Sequence, residues 1–206
     1  MNGHCRLAIA CIISAMAGCS SAPIRYYTLT PPPDDTAAAP QSSIAIDVRV
    51  VHTPPQLNRT ELMVRTGPAE VALLDNERWA SPVKDEIRDA LRLELQRRLG
   101  AETALRPAIA KLMVIVDVQH FEAELGRHAL IEASWSLVLA QGPETDGGRA
   151  ATCTLHADEK IAAGYAAMAS GYQKDIAALA AAVVAELQRR VSGIGIGPPC
   201  GQTSGS

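Results

Sequence analysis

Two runs of alternating side chains near the middle of the chain limit what it can fold into. Between Leu112 and Phe121, apolar residues recur at every second position: Leu112, Val114, Val116, Val118. Between Ala129 and Leu139 the same period returns in Ile131, Ala133, Trp135, Leu137 and Leu139. Side chains of a strand alternate between faces, so each run builds one apolar face and one mixed face. The polar segment Glu122 to His128 contains Gly126 and turns the chain between them. Gly142 to Gly148 forms a second polar turn, and Ala151 to Ile161 supplies a third strand of one antiparallel meander. A sheet with one apolar face must bury that face against another layer.

Two helices are available to cover it. Ser81 is placed to N-cap the first, Pro82 suits its first position, and Asp85 and Glu86 sit at its positive end. Val83, Ile87, Ala90, Leu91, Leu95 and Leu99 follow at helical spacing, and Gly100 closes the helix. Arg92, Arg97 and Arg98 read as a solvated face complementing the dipole. The second helix runs from about Tyr165 to Val191 with Ile176, Leu179, Val183, Leu187 and Val191 as its buried stripe. Its many alanines allow close packing. Upstream, Ile44 to Val51 alternates as a strand, and Leu62 to Arg65 and Glu70 to Leu74 are shorter strands split by Gly67-Pro68. Pro31 to Ser43 is rich in proline, alanine and serine and reads as a loop. Together these elements predict an α+β fold: a two-layer sandwich in which a mainly antiparallel sheet carries two long helices on one face.

The chain has 206 residues, enough for one ordinary domain. Aromatic residues make up only 3%, so the core must be aliphatic. The formal charge is −3 and no basic run appears, which argues against a nucleic-acid surface. We therefore expect no nucleic-acid partner.

The amino terminus has a different character. Residues 1–18 read as a lipoprotein signal peptide: Arg6, then the apolar stretch Leu7 to Ala17, too short to span a bilayer, then small residues before Cys19. Met16 stands where leucine is usual. Cleavage before Cys19 would leave a cysteine ready for acylation on its thiol and amino group, by chains such as palmitate. An ordinary secretory signal is the alternative. Ser20, rather than Asp, after the cysteine points to the periplasmic face of the outer membrane. Cleavage removes Arg6 alone among charged groups, so Lys plus Arg falls from 19 to 18 against 22 acids and the charge becomes −4. Residues 19–25 form the lipidated tether, 26–200 a single domain and 201–206 a loose tail. Tyr26-Tyr27-Thr28-Leu29 is a possible first strand. Seven residue steps from Cys19 to Tyr26 reach roughly 25 Å at most.

Cys5 and Cys11 leave with the signal and Cys19 takes lipid, so Cys153 and Cys200 remain. In an oxidising compartment two such thiols often pair. The bridge would close a loop of about 47 residues and contribute roughly 2–4 kcal/mol. Two free thiols are the alternative.

Chemistry is sparse. His120, Glu122, Glu124, His128 and Glu132 form the best acid–base or metal cluster, but they straddle an exposed turn, where polar residues are usual. A solvated hairpin outweighs a metal or catalytic site there. No HExxH, CxxC or GxSxG occurs, and the glycines of Gly193-Ile194-Gly195-Ile196-Gly197 precede no helix, so they do not suit a phosphate. No catalytic residue, metal or cofactor is expected. Trp79 reads more readily as a core plug than as a binding residue. Tyr26 and Tyr27 point to opposite faces, so one can enter the core and the other can meet a partner or the membrane surface.

Several short motifs in order carry a resemblance. They are Gly18-Cys19-Ser20-Ser21, Tyr26-Tyr27-Thr28-Leu29, Pro55-Gln56-Leu57-Asn58-Arg59, Arg78-Trp79-Ala80-Ser81-Pro82, the strands Val114–Phe121 and Glu132–Val138, and Gly164-Tyr165 before the Ala-rich helix. This set resembles the PqiC/YmbA lipoproteins, auxiliary lipoproteins linked to ABC-type and MCE-type transport, over nearly all the mature chain. Gln56 departs from it, since the family commonly has tyrosine before the leucine. The resemblance implies a non-enzymatic outer-membrane lipoprotein that docks a periplasmic MCE protein of the PqiB kind within an envelope-spanning lipid transport system. It would thereby support membrane integrity. A homo-oligomeric ring is a plausible form for a docking subunit. Tyr26, Tyr27, Gln56, Arg59 and Trp79 are the partner-binding candidates. An assembly lipoprotein of another outer-membrane machine, or an enzyme built on His120 and His128, are the rival readings.

Overall fold

The computed structural model describes residues 22–32, 44–100, 110–140 and 152–191. Strands β1 (Arg25–Tyr27), β2 (Ile44–His52), β3 (Glu61–Gly67) and β4 (Glu70–Trp79) precede helix α1 (Val83–Leu99). Strands β5 (Ala110–Glu124), β6 (His128–Ala140) and β7 (Thr152–Lys160) lead to helix α2 (Tyr165–Val191). The meander is present as expected: β5 pairs antiparallel with β6, and β6 with β7. Gly126 turns between β5 and β6 at φ 80°, a conformation that suits glycine.

Mixed α+β architecture holds, but the strands divide into two sheets. One has the order β2-β5-β6-β7 and the other β1-β4-β3. The outer pairings β2–β5 and β1–β4 are parallel. Parallel neighbours require a long crossover, here β3, β4 and α1 between β2 and β5. The division follows from unequal lengths. β2 ends at His52 opposite Asp117, whereas β5 continues to Glu124. Beside that overhang β3 approaches through side chains, with Arg65 Nε donating to Glu122 Oε1 at 2.5 Å.

Both helices cover one face of the four-stranded sheet. α1 lies on β2 and α2 on β6 and β7, and the helices touch each other. Leu112, Val114, Val116 and Val118 are buried beneath them, as are Ile131, Ala133, Trp135 and Leu137 of β6. From α2, Ile176, Leu179, Val183 and Leu187 enter the core. Between Val118 and His120 the register slips by one residue. Such a bulge exchanges the faces, so the buried positions change from even to odd and Phe121 and Ala123 turn inward. Phe121 stacks on Tyr172 of α2 at 4.0 Å, and Trp79 meets both rings edge-on at 6.0 Å. This cluster joins the end of β4, the far half of β5 and α2. It also settles Trp79, which is only 3% exposed and has no ring surface left for a partner.

The start of α1 differs from expectation. Pro82, not Ser81, occupies the N-cap position, and no side chain caps the helix. Ser81 instead gives its backbone N–H and its hydroxyl to Glu86 Oε1, at 3.0 and 2.9 Å. A hydroxyl that donates to a carboxylate makes a charge-assisted hydrogen bond, stronger than one between neutral groups. The other oxygen, Oε2, accepts from Thr28 Oγ1 at 2.7 Å and from the backbone N–H of Leu29 at 2.8 Å. At the other end of α1, Gly100 adopts φ 93° and donates to Gln96 O at 2.8 Å, closing the helix as expected.

Two substitutions test this packing. Glu86→Ala strands the buried amide of Leu29 and both donors of Ser81, and is expected to cost about 3 kcal/mol in urea denaturation of the soluble form. Gly171→Ala is expected to cost about 1–3 kcal/mol although alanine favours helices. The added Cβ would stand 2.4 Å from Ile161 Cγ2 and 3.1 Å from Ala129 Cβ.

Candidate functional site

The bulge in β5 arranges the polar face of the sheet. Beyond it, His120 and Glu122 turn away from the helices and join the outward residues of β6 and β7. Register sets His120 opposite Glu132, and Glu132 opposite His156. Glu132 therefore lies between two imidazoles: His156 Nδ1 is 2.7 Å from Oε1, and His120 Nδ1 contacts Oε2. The hydrogen bond from His156, then the one from His120, hold the Glu132 carboxyl below its ordinary value of 4.5. Glu122 is held low as well, chiefly by Arg65. Arg65 is itself fixed, since its Nη1 donates to Pro68 O at 3.1 Å.

Of the five residues expected to cluster, only His120 and Glu132 meet. Glu122 goes to Arg65, Glu124 to Arg127 at 2.5 Å, and His128 to Asp158 at 3.2 Å. His156, Arg65 and Asp158 were missed. The first and last were visible in principle, because Thr154, His156 and Asp158 alternate along the polar side of β7. Among the carboxylates of this face, Glu122, Glu124, Glu132 and Asp158 are each engaged by an arginine or an imidazole. Glu122 and Glu132, held low by their partners, are weak bases, so this pair suits binding and orientation more than proton transfer. Among the described residues no group of three or more His, Cys, Asp and Glu is placed to hold a metal ion.

The partner-binding candidates occupy three settings. Tyr26 is 63% exposed beside Ile24, which is also exposed. Tyr27 is half-buried: its hydroxyl donates to Glu77 Oε2 at 2.7 Å, and its ring meets Tyr165 edge-on at 6.3 Å. Burial and the Glu77 carboxylate raise its phenol above the ordinary value of 10.0. Opposite faces for the two tyrosines are thus realised. Gln56 and Arg59 are exposed on either side of the buried Leu57, in and after a 3-10 turn at Pro55–Leu57. Gln56 shares a shallow recess of about 50 Å³ with Met63, Arg65, Val71, His120 and Glu122. Val71 and Leu73 beside it are 52% and 44% exposed. The recess adjoins the Glu132 row through His120, so apolar and charged groups form one surface outside the helices. Trp79 lies apart from it, in the core.

Cys153 is buried and disulfide-bonded. Cys200 lies outside the described residues, as do Cys19, the signal segment, the glycines at 193–197 and the tail. Among the described residues no helix is long and apolar enough to cross a membrane.

This fold, with its open polar face, is that of a known class of auxiliary protein. The family model for ABC-type transport auxiliary lipoprotein components matches residues 27–184, and the chain belongs to that family. A crystal structure described as an uncharacterized protein shares the fold at a TM-score of 0.62 and 20% identity, covering 81% of this chain and 99% of that one. Protein XCC0632 from Xanthomonas campestris is similar at a TM-score of 0.52 and 16% identity, covering 84% of this chain and 99% of its own. No curated protein matches the chain in sequence.

Glu132 gives a test by pH. Its folded value lies below 4.5, so the stability it adds is present above pH 4.5 and is lost as pH falls through the lowered value. Glu132→Gln is expected to remove that slope in thermal melts between pH 4.5 and 3 while changing stability at pH 7 by under about 1 kcal/mol, because the site is partly solvated.

Proposed function

We propose that the protein is a non-enzymatic, lipid-anchored subunit at the periplasmic face of the outer membrane, where it docks an MCE-type component of an envelope-spanning lipid transport system. The observation that carries this reading is the family match over residues 27–184. Acylation of Cys19 supplies the anchor, and Ser20 after it favours the outer membrane. A single chain would bind only marginally, whereas several hold firmly.

The fold supports a docking role through its first strand. β1 is an edge of the three-stranded sheet, and the segment following it is tied at several points. Thr28 and Leu29 go to Glu86, Gln173 Nε2 donates to Thr28 O at 3.1 Å, and Ala80 N to Tyr27 O at 2.7 Å. The domain thus begins rigidly within about seven residues of the anchor, close enough to hold it roughly 25 Å or less from the bilayer surface. Tyr26, Gln56 and Arg59 are the exposed candidates for contact with the MCE protein. The family of auxiliary transport lipoproteins is what favours an accessory role in lipid passage and membrane integrity.

Tagged protein retrieved after mild crosslinking is expected to carry an MCE-type protein, and recovery without one overturns the docking role. Cys19→Ala is expected to release the protein from membranes on fractionation. A flexible insert of about twenty residues after Ser21 is expected to impair envelope integrity while leaving the fold intact, and unchanged detergent resistance would show that closeness to the membrane is unimportant.

A further inference from the structure

Between strand β7 and helix α2 lies a groove of about 450 Å³. Its strand wall is the unbroken run from Leu155 to Glu159. Neighbouring strand residues point to opposite faces, so a continuous run can border one groove only along the strand's edge. Among the described residues β7 pairs with β6 alone, which leaves that edge, with its backbone donors and acceptors, open. The helix wall is a shelf of alanines, including Ala178, Ala181 and Ala182, that lets a backbone come close.

Asp175 stands at this shelf. It is 3% exposed, and its Oδ2 has no hydrogen-bond partner. Burial, then Glu159 and Asp158 across the groove, push its carboxyl up to about 8, while Lys174 opposes them weakly. Lys174 is committed elsewhere, donating to Glu159 Oε1 at 2.5 Å. His156 is the remaining titratable group on the strand wall and is held by Glu132 on the outer face. A buried carboxyl oxygen without a hydrogen bond destabilises the free protein, and Lys174, the cation that lines the groove, is bonded to Glu159 rather than to Asp175.

We propose that this groove receives an extended segment of a partner protein, which adds as a strand to the open edge of β7 and sets a Lys or Arg side chain against Asp175. The proposal rests on the docking role argued above. Strand addition supplies backbone partners along the edge that no described strand pairs, and the cation supplies a partner for Asp175 Oδ2. Asp158 and Glu159 add attraction of the same sign. The chain's own residues 192–206 contain no Lys or Arg and cannot serve. A lipid tail would leave both the strand edge and Asp175 unanswered. Because the arriving cation expels the proton of Asp175, binding tightens as pH rises and levels off above about 8.

The test uses the full-length lipoprotein in its own cells, with a photo-reactive benzoylphenylalanine at Ala181 and mass-spectrometric mapping of the captured peptide. The expected product is a partner segment with a Lys or Arg within a few residues of the crosslink. Asp175→Asn is expected to lower its yield at least fivefold, and on isolated membranes the yield is expected to rise from pH 6 to 8 in the parent and stay flat in the variant. Ala178→Lys, which places a cation one turn from Asp175 within the chain, is expected to lower the yield as well. Melting temperatures of both variants check that they fold. Capture of lipid, of a second copy of this chain, of a segment without Lys or Arg, or of nothing overturns the proposal, and so does a yield indifferent to both variants. An MCE-type protein that co-purifies but crosslinks away from the groove sinks this inference and leaves the docking role standing. A cationic segment of some other protein in the groove does the reverse.

Discussion

Glu86 holds together parts of the chain that local preferences would leave apart. Its carboxylate is 5% exposed and accepts four hydrogen bonds, two from Ser81 and one each from Thr28 and Leu29. Removing a carboxylate from water costs several kcal/mol, and four donors aimed at its two oxygens offset that cost. A charge placed this way is specific as well as stabilising, because each donor must arrive together with the others. The start of α1 is therefore fixed by the chain that follows β1, and β1 is fixed in turn against the end of β4.

The bulge at Gln119 is the second device on which the architecture turns. Without the slip, Phe121 would face solvent and His120 the helices. With it, Phe121 reaches Tyr172 and Trp79, and His120 reaches Glu132. One extra residue thus creates both the aromatic junction inside and the ordered polar row outside. The same strand outruns β2, and β3 fills the space beside the overhang through Arg65 and Glu122. Gln56, Val71 and Leu73 gather there as a consequence. This exposed surface is a product of unequal strand lengths.

Much of this was legible in the residues. Alternation located β5 and β6, the polar turn after them placed β7, helical spacing located both helices, and Gly100 and Gly126 marked their turns. Even the bulge left a trace, since the apolar phase runs on even numbers to Val118 and on odd numbers from Phe121. What stayed hidden depends on contacts distant in sequence. The parallel pairings β1–β4 and β2–β5 have no local signature, because turn chemistry specifies only neighbours in sequence. Glu86 read as an acid suited to a helix start, although its partners Thr28 and Leu29 lie 58 and 57 residues away. His156 gave no hint of Glu132, because only the register of β7 on β6 brings them together. Asp175 falls one residue before Ile176, inside the spacing that buries Tyr172 and Leu179, so the helical period already placed a carboxyl in the core.

Asp175 and Glu86 are chemically alike and structurally opposite, and the contrast separates folding from binding. Both are buried acids on helices that cover the same sheet. Glu86 is saturated by donors from its own chain, so its burial closes a fold. Asp175 faces two other acids, lacks a partner at Oδ2, and adjoins a strand with an open edge. Selection for stability alone would favour an apolar or amide residue at that point. The two ends of α2 reinforce the distinction. Near Gly171 the helix presses so closely on Ile161 and Ala129 that a methyl group does not fit, whereas between Lys174 and Ala185 it borders the groove beside β7. A helix free to pack tightly along its whole length would close that space. The sequence instead places alanines where larger side chains would fill it, beside a buried acid whose Oδ2 has no hydrogen-bond donor.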